Sequence, residues 1–130
     1  YMNQADYDKA EYFFEKAIHQ IDSYTIESVE DVCRVLTVLY YAATFYATIK
    51  EYDTSDVLLR RGVTICGENH VTYYLARIKC LLAENAYENK FEQEEVKELI
   101  RDAAAFARLN KNTVLLEKIK VFEDRLAKGE

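Results

Sequence analysis

Residues 5–18, ADYDKAEYFFEKAI, contain the most informative pattern in this 130-residue chain. Tyr7, Ala10, Phe14 and Ala17 stand three, four and three positions apart, so they fall on one face of a helix. The two alanines allow another helix to approach closely, and the aromatic ring fills the gap between them. Such a helix cannot bury its apolar face alone. The stretch therefore predicts a helix in a stacked array of helical hairpins.

The same spacing returns 45 residues later, at Tyr52, Ser55, Leu59 and Gly62. This alternation of large and small residues resembles the tetratricopeptide repeat, although that family has a period of about 34 residues. The helix-ending proline of the family is also absent, since the chain contains no proline. The resemblance implies an all-α, tetratricopeptide-like right-handed superhelix of antiparallel helix hairpins, which we expect to form one domain over residues 1–130.

Apolar periodicity and capping residues predict six helices. We expect them at about residues 6–22, 29–50, 55–66, 70–89, 93–109 and 113–127. The residues that we expect to cap or stop these helices are Ser28, Asp53 or Thr54, Gly67, Asn69 and Asn112. On the first helix the expected inward face is Tyr7, Ala10, Phe13, Phe14, Ala17, Ile18 and Ile21.

The charge of the chain is uneven. The net charge is −6, and residues 1–60 carry all of it, with 11 acidic and 5 basic residues. This balance argues against direct nucleic-acid contact by this segment, which would need clustered Lys and Arg. The longest apolar run, residues 35–49, is too short and too polar to span a membrane. We therefore expect no membrane partner, and an odd number of cysteines without a secretion signal indicates a cytoplasmic protein.

The sequence offers no recognisable catalytic or metal chemistry. Cys33, Cys66 and Cys80 are widely spaced, and we expect them to be reduced and structural. His19 and His70 do not stand at a metal-ligand spacing. No Gly-rich loop or nucleophile motif is present. We expect no enzymatic activity, no cofactor and no metal.

The last part of the chain carries a narrower resemblance. Residues 73–77 (YYLAR) and 103–112 (AAAFARLNKN) resemble the end of the sensing domain of Rgg/PlcR-type transcriptional regulators of Gram-positive bacteria. That resemblance implies a domain that binds a short signal peptide on its concave side and forms a homodimer. It also implies a separate N-terminal helix-turn-helix that contacts DNA. Because the chain opens on Tyr1, we expect it to be a fragment that lacks this DNA-binding domain.

If the repeats stack as in that family, the first helix of each pair lines the concave groove. The residues that this placement puts in the groove are Thr37, Tyr40, Thr44, Thr48, Tyr73, Arg77, Glu84 and Asn89. Hydroxyl and amide groups can hydrogen-bond an extended peptide, and an arginine can take a carboxylate. Each residue also has a structural explanation: Arg77 in a surface ion pair, the tyrosines in the core, and the threonines against another subunit.

The alternative functional hypothesis is a generic repeat adaptor that binds a protein segment and has no DNA-binding partner domain. A catalytic or metal-binding helical bundle is the third class. The residues upstream of Tyr1 distinguish the first two hypotheses, since only a regulator would carry a helix-turn-helix there.

Overall fold

The computed structural model describes residues 4–72, 74–89 and 92–129. The described residues form six α-helices and no strand, which confirms the all-α fold class. The helices are α1 (Gln4–Asp22), α2 (Val29–Thr48), α3 (Tyr52–Glu68), α4 (Leu75–Glu88), α5 (Gln93–Leu109) and α6 (Thr113–Ala127). None of them combines the length and the apolar character that crossing a lipid bilayer requires.

Two of the predicted caps are present. The Ser28 hydroxyl accepts a hydrogen bond from the Asp31 N–H at 3.2 Å and so caps α2. Asn112 caps α6 in the same way, accepting from the Leu115 N–H at 3.1 Å. These side chains satisfy backbone donors that have no partner inside the first turn of a helix.

Helix α3 is longer at both ends than the sequence predicted. It starts from Glu51 without a side-chain cap, so the prediction of Asp53 or Thr54 as its cap was wrong. Gly67 lies inside the last turn rather than beyond it. Asn69, predicted to cap α4, instead ends α3, and its side-chain amide donates to a carbonyl of the last turn at 2.9 Å. An amide can serve either helix end, and sequence spacing did not distinguish them.

Helix α4 begins five residues later than predicted, at Leu75. Tyr74, directly before it, has a φ of 63°, in the left-handed region of backbone conformation. A helix cannot run through such a residue, because helical residues need negative φ. Hence the predicted helix over residues 70–89 is shortened at its start.

The chain divides into two compact units, an N-terminal unit (Tyr1–His70) and a C-terminal unit (Val71–Glu130). In the N-terminal unit α2 packs against both α1 and α3. Its buried side chains form most of the core of this unit: Val32, Val35, Leu36, Leu39, Ala42, Ala43, Phe45 and Tyr46. This agrees with the nearly all-round apolar character of the α2 sequence, which is typical of a helix surrounded by partners.

The small residues of the repeat spacing are more deeply buried on α3 than on α1. Ser55 is fully buried, and its hydroxyl donates to the Ala43 carbonyl oxygen of α2 at 2.8 Å. Gly62 is buried as well, and Ala10 and Ala17 of α1 are half-buried. Helices α2 and α3 therefore approach each other through a small side chain, as the sequence indicated.

Helix α1 is attached through aromatic rings and has no fully buried residue. The Phe14 ring stacks on Phe45 of α2 with 5.3 Å between centroids, and Tyr7 lies 6.4 Å from the same ring. Phe13, predicted to point inward, is 63% exposed. The prediction of Phe13 as an inward residue was wrong: α1 contacts α2 through Phe14, and Phe13 lies about 100° further round the helix.

In the C-terminal unit α5 packs against α4 and α6. The side chains of α4 and α6 also meet, since the Tyr87 and Phe122 rings lie 5.5 Å apart and edge to face. Lys79 of α4 pairs with Asp102 of α5 at 3.5 Å. The interior of this unit contains one fully buried polar side chain among the described residues, Asn85.

Candidate functional site

The predicted groove residues of the N-terminal unit form a strip along α2, here called the hydroxyl strip (Thr37, Tyr40, Thr44 and Thr48). Thr37, Tyr40 and Thr44 are half-buried, and Thr48 is exposed. The Tyr40 ring also lies edge to face with the ring of Tyr41, at 5.7 Å. The four residues share one side of one helix, as the three- and four-residue spacing predicted.

The threonine hydroxyls of the hydroxyl strip use their protons within α2. Each donates to the backbone carbonyl four residues earlier, Thr37 at 2.7 Å, Thr44 at 2.9 Å and Thr48 at 2.8 Å. A hydroxyl that donates in this way retains acceptor capacity on its oxygen. The threonines of the strip are therefore suited to receive N–H groups rather than to supply protons.

The remaining predicted groove residues belong to the C-terminal unit, apart from Tyr73, which lies outside the described residues. Arg77 is exposed, and its guanidinium carbon lies 5.0 Å from the centroid of the Tyr74 ring, a cation–π contact. Asn89 ends α4, where its backbone N–H donates to the Asn85 carbonyl at 2.9 Å. Arg77 therefore lies in the first turn of α4, and Asn89 lies directly after its last residue.

Glu84 is engaged inside the C-terminal unit. Its carboxylate pairs with the Lys118 ammonium at 3.1 Å and accepts from the Cys80 thiol at 3.4 Å. Burial, together with the negative charge of Glu84, raises the pKa of Cys80 to about 12. Because these contacts already engage the Glu84 carboxylate, they favour a structural role for Glu84 over the binding of a ligand.

Sequence reasoning missed a cleft between the start of α1 and the end of α2, here called the α1–α2 cleft. It has a volume of about 340 Å³, within the usual range of ligand pockets. Its walls include two aromatic rings, three charged side chains and one residue of the hydroxyl strip: Tyr7, Phe45, Asp8, Glu11, Lys50 and Thr48. The cleft joins residues about 40 positions apart, which helical periodicity within one segment cannot reveal.

The α1–α2 cleft has a negative electrostatic character. Asp8 and Glu11 contribute two carboxylates against the single ammonium of Lys50. The carboxyl end of α2, at Thr48, adds the partial negative charge of a helix C-terminus. Burial first, and then the charges of Glu11 and Glu15, raise the pKa of the nearby Tyr46 phenol.

A second cleft lies in the C-terminal unit, between α5 and α6. Its volume is about 460 Å³, and Lys97, Arg101, Glu123 and Leu126 are among its walls. With two cations and one carboxylate, this cleft is net positive, whereas the α1–α2 cleft is net negative. It therefore offers an internal control for any test of charge selectivity in the α1–α2 cleft.

Within residues 4–72, 74–89 and 92–129, no group of three or more His, Cys, Asp or Glu side chains is arranged to hold a metal ion. No protein-family model, curated protein or solved structure matches the chain.

Proposed function

We propose that this chain is the peptide-sensing and dimerising domain of a bacterial transcription regulator, and that a short peptide binds along α2. The resemblance of its sequence to the sensing domains of such regulators supports the proposal. The helical hairpins agree with it as well, since α2 and α3 pack through the small residue Ser55. In this proposal any DNA contact belongs to a different domain.

The hydroxyl strip is the observation that carries the proposal. Thr44 and Thr48 stand one turn apart, a rise of about 6 Å along the helix axis. Alternate residues of an extended peptide are separated by about 6.6 Å and present N–H groups on the same side. The strip can therefore offer acceptor oxygens at nearly the repeat distance of a peptide backbone.

Homodimer formation is the second part of the proposal, and α1 offers the surface for it. Tyr12 and Phe13 are neighbours on this helix and are 68% and 63% exposed. Aromatic side chains are enriched at protein interfaces because they bury a large area at a low entropic cost. A change of Tyr12 and Phe13 to serine should therefore shift the chain toward monomer in analytical ultracentrifugation.

Selection from a random display library followed by calorimetry tests the peptide-binding part. Thr44→Val together with Thr48→Val removes the two acceptor oxygens that match the peptide repeat and keeps the shape of the side chains. We expect this double variant to bind the selected peptide at least about tenfold more weakly, since two hydrogen bonds of about 1 kcal/mol are lost.

Thr64→Val is the matched control for that experiment. Thr64 makes the same type of bond to the carbonyl four residues earlier, Arg60 at 3.1 Å, but it lies on α3 outside the strip. The affinity of the Thr64→Val variant for the peptide should match that of the wild type. Equal losses in both variants, or no loss in either, would contradict peptide binding along the hydroxyl strip.

The adaptor hypothesis uses the same strip but a different ligand. If the chain bound a segment of another protein while no short peptide bound, the adaptor would replace the peptide sensor. The open reading frame upstream of Tyr1, with or without a helix-turn-helix, gives the independent test.

A further inference from the structure

The α1–α2 cleft and the hydroxyl strip share Thr48, so one extended ligand can occupy both. We propose that the cleft binds the guanidinium group of an arginine side chain of the peptide that lies along α2. This inference rests on the proposed peptide binding and adds the chemistry of one subsite. It concerns residues that the sequence-based site prediction left out, with the exception of Thr48.

Charge complementarity is the first argument for a cationic occupant. Among residues 4–72, no cationic side chain lies within ion-pair distance of Asp8 or Glu11. Asp8 accepts one hydrogen bond, from the Gln4 side chain at 3.0 Å, and retains further acceptor capacity. Together with the C-terminal end of α2, these carboxylates leave the cleft net negative even with Lys50 at its wall.

The aromatic walls are the second argument, and they favour arginine over lysine. Tyr7 is half-buried, and its ring is held 6.4 Å from that of Phe45, so the wall of the cleft is formed before a ligand arrives. A planar guanidinium stacks on aromatic faces and can also hydrogen-bond a carboxylate through its edge. The half-buried Tyr7 ring and the two carboxylates match both properties, whereas Phe45 is buried and supports the Tyr7 ring from behind.

The positive charge of Lys50 lowers the affinity of this subsite for a cation. Lys50 follows the last residues of α2 with a φ of 65°, and its side chain is exposed. Its ammonium partly offsets the two carboxylates and repels an incoming cation. Removal of this charge should therefore tighten the binding of arginine, whereas removal of either carboxylate should weaken it.

The test uses N-acetyl-arginine amide as the probe and N-acetyl-citrulline amide as its uncharged isostere, followed by amide NMR of the whole chain. We expect the arginine probe to shift the signals of Tyr7, Thr48 and Ile49, with half-saturation at roughly millimolar concentration. The double variant Asp8→Asn, Glu11→Gln should weaken the binding at least about tenfold. Lys50→Ala should strengthen it by a factor of about two to five.

Arg101→Gln, in the α5–α6 cleft, is the control and should leave the arginine titration unchanged. Equal binding of the citrulline probe, or arginine shifts that survive in the double carboxylate variant, would overturn the proposal. The same holds if the arginine probe causes no saturable shift.

The two proposals fail separately. Selected peptides that bind along α2 without any need for a basic residue would refute the arginine subsite and leave peptide binding intact. A selection that yields no peptide would refute the proposed function, whatever the arginine probe does.

Discussion

The Ser55 hydroxyl of α3 donates a 2.8 Å hydrogen bond to the backbone carbonyl of Ala43 in α2, and Ser55 is fully buried. Ser55 is the first small residue in the repeat pattern Tyr52, Ser55, Leu59 and Gly62. The site therefore combines close packing with the satisfaction of a buried polar group.

Substitution of Ser55 should destabilise the chain in two graded steps. Ser55→Ala removes the hydrogen bond and should lower the free energy of unfolding by about 1 kcal/mol. Ser55→Leu overfills the contact between α2 and α3 and should cost about 2 kcal/mol or more. Urea unfolding followed by circular dichroism measures both. The exposed neighbour Thr54, changed to alanine, should stay within about 0.5 kcal/mol of the wild type, and a Ser55→Leu variant of equal stability would contradict the close approach.

Gly67 offers a stabilising change. It lies in the last turn of α3, and a Cβ added there would meet no atom within 4 Å. Gly67→Ala should raise the free energy of unfolding by about 0.5–1 kcal/mol, because alanine loses less backbone entropy in a helix. Gly129 is the matched control, since its φ of 73° disfavours alanine although the space is equally open. Thermal unfolding measures both variants. If Gly129→Ala stabilised the chain as much as Gly67→Ala, the helical position of Gly67 would not explain the gain in stability.

Asp31 should make the N-terminal unit sensitive to acid. The Glu27 backbone N–H, at 3.0 Å, is the main group that lowers its pKa, followed by the hydroxyl of Tyr24 at 2.9 Å. A carboxylate whose pKa is lowered on folding stabilises the native state above the unfolded pKa of about 3.9. That contribution is lost as the pH falls through the native pKa.

Urea midpoints between pH 5 and pH 2 measure this contribution. The wild type should lose more stability over this range than Asp31→Asn, which lacks the titrating group. Glu30→Gln, one position away and exposed in the first turn of α2, should behave like the wild type. Parallel pH profiles for Asp31→Asn and the wild type would contradict the assignment.

The three cysteines should differ in reactivity toward Ellman's reagent at pH 8. Burial raises the pKa of the Cys66 thiol to about 11, and that of Cys80 to about 12 with a further contribution from Glu84. Because only the thiolate attacks the reagent, both should react slowly in the native protein. Cys33 is half-buried and should give the fast phase. Cys33→Ser should therefore abolish the fast phase. A fast phase that persisted in this variant would contradict the predicted order of reactivity.

Much of the fold could be predicted because its signals are local. Periodicity and capping gave the bounds of α5 and α6 as the structure has them. The small residues Ser55 and Gly62 were recognised because helical spacing places them on one face. The start of α4 was missed, since a left-handed Tyr74 is uncommon and has no glycine to signal it.

The candidate site was less predictable for a physical reason. Spacing placed the hydroxyl strip on one side of α2, but it could not show that the threonine protons are bonded within the helix. The α1–α2 cleft depends on which helix ends meet, and that is set by the packing of Phe14 on Phe45. The predicted role of Tyr73 stays a prediction, as do those of Arg77 and Asn89.

A crystal structure of the chain with its tightest selected peptide would show where the peptide lies on α2. We expect an extended peptide along α2, with backbone N–H groups within hydrogen-bonding distance of the Thr44 and Thr48 oxygens. We also expect an arginine side chain between Tyr7 and Glu11. A peptide bound to a surface that touches neither the hydroxyl strip nor the α1–α2 cleft would contradict peptide binding along α2.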